Sequence, residues 1–133
     1  MHYRHHYHAG NFADVFKHLL LIGLIQALNR KDKPYCVVET HAGTGLYDLQ
    51  HAWAQKTGEW HKGIARLWSH SDAPELLQPY LDAVRAENPD DQLRYYPGSP
   101  LIARQLLRPQ DSLQLTELHP SDFPLLRGEF QKD

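Results

Sequence analysis

From Asn11 to about Asn29, apolar residues fall at Phe12, Val15, Phe16, Leu19, Ile22, Ile25 and Leu28. This i, i+3, i+4 spacing lays a stripe along an α-helix. Asn11 is placed to cap the helix, and the polar run NRKDKP to stop it. After Pro34 the pattern changes: YCVVET is short, aromatic and β-branched, has no helical repeat, and predicts a buried strand. It runs directly into the glycine-containing turn HAGTG. From about Gln50 to Gln92 the chain is helical in tone. Trp53, Trp60, Leu67, Trp68, Leu76, Leu77, Tyr80, Leu81 and Val84 are its apolar contacts, and Pro74, Pro79 and ENPDDQ interrupt it.

In YYPGSPLIARQLLRPQD, Ser99 is placed to cap, and Pro100 to open, a short helix to about Leu107. SLQLTELHP then alternates as a strand ending near Glu117, and SDFPLLRGEF predicts a helix from near Ser121. Two strands joined by a long helical crossover imply parallel pairing and an α/β class. Two strands are too few for a doubly wound sheet, and no strand follows the last helix, so the expected sheet is incomplete.

Composition narrows the class. The 133 residues fit one domain of roughly 100–150 residues, and with 41% hydrophobic and 23% charged residues the chain is globular in type. The longest apolar run, Leu19 to Ile25, is far short of the ~20 residues a membrane-spanning helix needs. No secretory pattern is present, and the cytoplasm is the expected compartment. Cys36 is the single cysteine. It excludes an intrachain disulfide and a cysteine-based zinc site, and its apolar surroundings predict a buried small hydrophobe. A net charge of -2 supplies no global attraction to phosphate.

Candidate chemistry gathers at the strand ends, where open α/β sheets bind ligands. Gly43 and Gly45 in HAGTG either let a ligand approach the backbone or simply make a tight turn. Glu117 is placed either to accept hydrogen bonds from ribose hydroxyls or to end a strand in solvent. His41 follows the first strand as a crevice residue or part of a capped turn. Ser99 caps a helix whose free N–H groups also suit a ligand. Lys17 and His18 sit beside the apolar stripe of the first helix, where a boundary lysine and a hydrogen-bonded histidine are the alternative to a site. The opening MHYRHHYHAG holds His2, His5, His6 and His8 but lacks the carboxylate or cysteine companions of a metal site, so no metal is expected.

Together, YRHHYHAGNFADVFKH, ETHAGTGLYDL, TGEWHKGIARLW and the run from LRYYPGSPLIARQLL to the final residues resemble the RlmJ family over nearly the whole chain. These are bacterial enzymes that use S-adenosylmethionine (SAM) to methylate N6 of an adenine in 23S ribosomal RNA. The resemblance implies a Rossmann-like methyltransferase core at 11–49 and 93–133, an inserted helical subdomain at 50–92, and an N-terminal lid at 1–10. It further implies SAM contacts at His18, His41, Ser99 and Glu117, with Glu117 on the ribose, and a cofactor or active-site contact at Lys17. Gly43 belongs to the same cofactor turn. Tyr3 and His5 are implied to meet the RNA, an aromatic ring being suited to stack on an extruded base. The family's catalytic Asp-Pro-Pro-Tyr occurs nowhere in this sequence. The resemblance is to the family's N-terminal half, so no catalytic residue is expected here, and a cofactor- or RNA-binding role without catalysis is the alternative.

Overall fold

A computed structural model describes residues 3–69 and 72–131. His2, counted above in the histidine cluster, lies outside the described residues. The first helix, α1 (Phe12–Leu28), is capped by Asn11, whose side chain accepts the Asp14 N–H at 2.9 Å. Strands β1 (Cys36–Glu39) and β4 (Ser112–Leu115) pair in parallel, with Cys36 opposite Ser112 and Glu39 opposite Leu115. Between them run α2 (Ala52–Thr57), α3 (Ile64–Trp68), α4 (Gln78–Arg85) and α5 (Ser99–Leu106), and α6 (Asp122–Phe130) follows.

Two strands escape the sequence pattern. β2 (Leu46–Asp48) and β3 (Tyr95–Pro97) pair antiparallel, and at three residues each they are too short for alternation to register. They form a neck through which the helical stretch leaves and returns, and the Arg94–Asp48 ion pair at 3.2 Å ties its two sides together.

α1 packs chiefly on α5 and also on α4. The core between them and the neck includes Ile22, Leu49, Ile64, Tyr80, Leu81, Val84, Tyr96 and Ile102, all buried. Burying an aliphatic side chain of this size contributes about 1.5–3 kcal/mol.

Burial differs from expectation in three places. Phe12, Phe16 and Leu28 of the expected stripe on α1 are exposed with Leu20 and Leu24, whereas Ile22 and Ile25 of that stripe are buried, together with Asp14 and His18. α1 is apolar around most of its circumference, so spacing alone does not select the covered face. Leu76 is likewise exposed rather than packed. Cys36 is also exposed, and Val38 on the same face is 60% exposed. Ser112 and Gln114 share that outward face, while Val37, Leu113 and Leu115 are half-buried on the other. A continuous apolar run suggests a strand covered on both faces, but this pair is covered on one.

Among the described residues no helix is long and apolar enough to cross a membrane.

Candidate functional site

The carboxyl ends of β1 and β4 open onto a cleft of about 480 Å³. Beyond Glu39 the parallel ladder continues through Thr116 N–H to Glu39 O at 2.9 Å and Ala42 N–H to Thr116 O at 3.0 Å. The chain after β1 then turns back at Gly43 and Gly45, with φ of 74° and 86°. Both angles lie in the left-handed region that glycine adopts without penalty. A side chain at Gly43 would also collide with the Tyr47 hydroxyl. The turn therefore demands its glycines, and Gly43 lines the cleft as well.

Glu117 joins the two strand ends. One carboxylate oxygen accepts the Gly43 N–H at 2.7 Å and the other the His119 N–H at 2.9 Å. His41 is exposed, lines the cleft, and has Nδ1 2.9 Å from the Thr40 hydroxyl. Ser99 differs from expectation: Gly98 occupies the cap position, Ser99 is the first helical residue, and it makes no capping bond. Its hydroxyl instead donates a hydrogen bond to the Glu39 carboxylate, and Ser99 lines the cleft. Burial raises the Glu39 carboxyl above its ordinary value although this bond opposes the shift, and Oε2 of Glu39 is buried without a hydrogen-bond partner among the described residues.

α1 supplies another wall through Asp14, Lys17 and His18. Asp14 is 1% exposed and accepts from the Gly10 N–H at 3.0 Å, with His5 Nε2 2.7 Å from the same oxygen. Burial pushes its carboxyl up, but the hydrogen bond and charge of His5 bring it below the usual range. Lys17 is largely exposed, with its ammonium 3.5 Å from Asp14. His18 is buried, and its Nδ1 lies 2.7 Å from the Tyr96 hydroxyl, which is 3.0 Å from that of Tyr80. Burial pushes the His18 imidazole down to about 4 against the pull of the Asp14 charge.

The N-terminal residues Tyr3, Arg4, His5 and His6 complete the wall. The Tyr3 hydroxyl is 2.6 Å from His5 Nδ1. Arg4 pairs with Asp122 at 2.6 Å and lies over the Trp53 ring at 4.6 Å. His6 stacks on His51 with ring centroids 4.3 Å apart, and its Nε2 is buried without a hydrogen-bond partner among the described residues. Burial and the neighbouring His51 push it down to about 4. His8 is directed elsewhere, to Glu59 at 3.0 Å. The described histidines thus have separate partners, and among the described residues no group of three or more His, Cys, Asp or Glu is arranged around a metal position.

Tyr3, His5, Lys17, His18, His41, Gly43, Ser99 and Glu117, all named from the sequence, border this one cleft. Sequence reasoning missed Arg4, Asp14 and Asp122. Asp14 carried a signal, the acidic side chain three residues after an Asn cap, but that spacing also describes an ordinary helix start. Arg4 and Asp122 meet across 118 residues, which no local pattern records.

Residues 32–133 match a family model described as ribosomal RNA large subunit methyltransferase D, RlmJ. The chain is 60% identical over 131 residues to ribosomal RNA large subunit methyltransferase J of Escherichia coli K12, covering 98% of this chain and 47% of the relative. Its counterpart in Haemophilus influenzae is 48% identical over 132 residues, again with 98% and 47% covered. A crystal structure of a protein from Legionella pneumophila superposes with a TM-score of 0.83 at 44% identity, over 90% of this chain and 43% of that one. The chain therefore spans about half the length of the curated relatives it matches.

Proposed function

Because the chain belongs to the RlmJ family of ribosomal RNA large subunit methyltransferases, we propose that its cleft is the first half of a site that binds SAM and receives an adenine of 23S ribosomal RNA in the cytoplasm. In this reading, 11–49 and 93–133 are part of a Rossmann-like core, 50–92 is an inserted helical subdomain, and 1–10 is a lid. The observation that carries it is the convergence of β1, β4, α1 and the N-terminal residues on one cleft bordered by the motif residues.

The side chains present fit such a cofactor. Each Glu117 oxygen takes one backbone N–H. A carboxylate has about four lone-pair sites, so two remain for ribose hydroxyls. The glycine turn lets the nucleoside approach the backbone, and Lys17, His18, His41 and Ser99 bring polar groups to the same space. A cleft of about 480 Å³ falls within the roughly 300–1,000 Å³ of small-molecule sites. When bound, SAM supplies a methyl group on a positively charged sulfur. Tyr3, 54% exposed at the cleft, offers a ring face to a base, and His5 lies beside it.

The test is methyl transfer from labelled SAM to unmodified 23S RNA fragments, run on this chain alone and on this chain extended with the C-terminal half of the Escherichia coli relative. Binding without transfer in the short chain, and transfer in the extended one, is the expected outcome. Binding in neither protein would sink the reading.

A further inference from the structure

We infer that Tyr96, with Tyr80 closing the far end of the hydrogen-bond chain, is a positioning residue that fixes the proton of His18 on Nε2, so that His18 presents a donor to an anionic oxygen of the ligand. Tyr80 and Tyr96 are both 0% exposed, so neither hydroxyl has water to turn to. The Tyr80 hydroxyl has one hydrogen-bond partner among the described residues, the Tyr96 hydroxyl at 3.0 Å. It must therefore donate to Tyr96.

Tyr96 must in turn send its own hydrogen to the remaining partner, His18 Nδ1 at 2.7 Å. A nitrogen that accepts is unprotonated, which leaves the imidazole proton on Nε2. Reversing the chain would strand the Tyr80 hydrogen in the core without an acceptor, the costlier arrangement. The doubly protonated form is disfavoured independently, since burial holds His18 down to about 4.

Nε2 of His18 makes no hydrogen bond to a described residue, and His18 lines the cleft. Lys17, one residue earlier on α1, lines it as well and is mostly exposed. A fixed N–H beside an ammonium complements an anionic oxygen. The identity of that oxygen rests on the function proposed above: among the groups of SAM, the carboxylate of its amino-acid portion is the anionic one. Tyr80 belongs to the helical stretch between the two strands of the neck, so this chain of hydroxyls connects α4 to the cleft through β3 and α1.

A long-range 1H–15N correlation spectrum of the 15N-labelled chain near neutral pH reads the tautomer directly, with the His18 signals assigned by their loss in His18→Gln. The wild-type spectrum is expected to show the Nε2-protonated pattern, and Tyr96→Phe a mixture of both tautomers. A wild-type His18 protonated on Nδ1 overturns the inference, whether or not the variant folds. Addition of S-adenosylhomocysteine is expected to move the Nε2–H resonance, whereas 5′-methylthioadenosine, which lacks the carboxylate, leaves it in place. Equal movement with both overturns the anionic-oxygen assignment. Tyr96→Phe is expected to weaken S-adenosylhomocysteine about tenfold relative to 5′-methylthioadenosine. Failure of both compounds to bind in calorimetry counts against the cofactor reading, while the tautomer is still decided by the ligand-free spectrum.

Discussion

The backbone N–H of Gly43 donates to the Glu117 carboxylate at 2.7 Å, joining the turn after β1 to the end of β4 across 74 residues. This bond makes the glycine turn and the acidic strand end a single unit. The N–H is presented because Gly43 holds φ at 74°, and the carboxylate is steadied by the His119 N–H on its second oxygen.

Gly43→Ala should disrupt that unit. A left-handed conformation costs an ordinary residue about 1–2 kcal/mol, and the new methyl group would meet the Tyr47 hydroxyl. Urea unfolding is expected to show a loss larger than the backbone cost alone. A variant as stable as wild type would mean the turn does not need glycine.

Glu117→Gln keeps the shape but turns one accepting oxygen into a donating amide, leaving either Gly43 or His119 without its acceptor. Hydrogen bonds to a charged group contribute about 1.5–3 kcal/mol. Calorimetry with S-adenosylhomocysteine should show affinity reduced at least about tenfold, which corresponds to about 1.4 kcal/mol. Unchanged affinity would remove Glu117 from the ribose role.

Stability should fall as the pH drops from about 6.5 towards 4. His18 and His6 are held down to about 4, so between those values the unfolded chain binds protons that the folded chain refuses. For His18 the full effect is on the order of 3 kcal/mol. Asp14 acts at lower pH: its carboxyl is held below the usual range, so its contribution persists above the unfolded value of about 3.9 and is lost as the pH falls through the folded value. Urea titrations at pH 7.5, 6 and 4.5 read the slope, and a flat profile would contradict the burial of these imidazoles.

Asp122→Asn removes the charge that holds Arg4 at 2.6 Å on the far side of the cleft. Hydrogen exchange at residues 4–8 should quicken severalfold while α1 stays protected. If exchange there is unchanged, the His5–Asp14 contact and the Arg4–Trp53 stacking suffice to hold the segment.

Phe12, Phe16, Leu20 and Leu24 form an exposed apolar row one turn apart on α1. Contiguous patches of this kind promote association. Light scattering should show this chain growing in mass with concentration, and Leu20→Lys with Leu24→Lys should suppress the growth without lowering the melting temperature. A monomer at every concentration would show that the row does not drive association.

Helix α1, the two parallel strands, and His41, Gly43 and Glu117 at the strand ends are legible in the sequence because each leaves a local mark, whereas Arg4, Asp14 and Asp122 of the same cleft are not. Apolar spacing marks α1, a β-branched run marks β1, and polar or glycine residues follow the strands. The short strands β2 and β3 leave no such mark, since three residues contain barely one alternation. Ser99 was misread as a cap for a related reason: Gly98 takes that position, and the Ser99 hydroxyl is claimed by Glu39, sixty residues away.

The sequence by itself thus determined the helices α1, α5 and α6, the strands β1 and β4 and their parallel pairing, and which polar residues follow the strand ends. Tertiary structure alone decided which face of α1 is covered, that Cys36 and Val38 look outward, and how Tyr80, Tyr96 and His18 come into line. Local spacing records the period of a helix or strand, whereas burial and hydrogen-bond partners depend on which distant surfaces meet, and those distances appear only when the chain is closed.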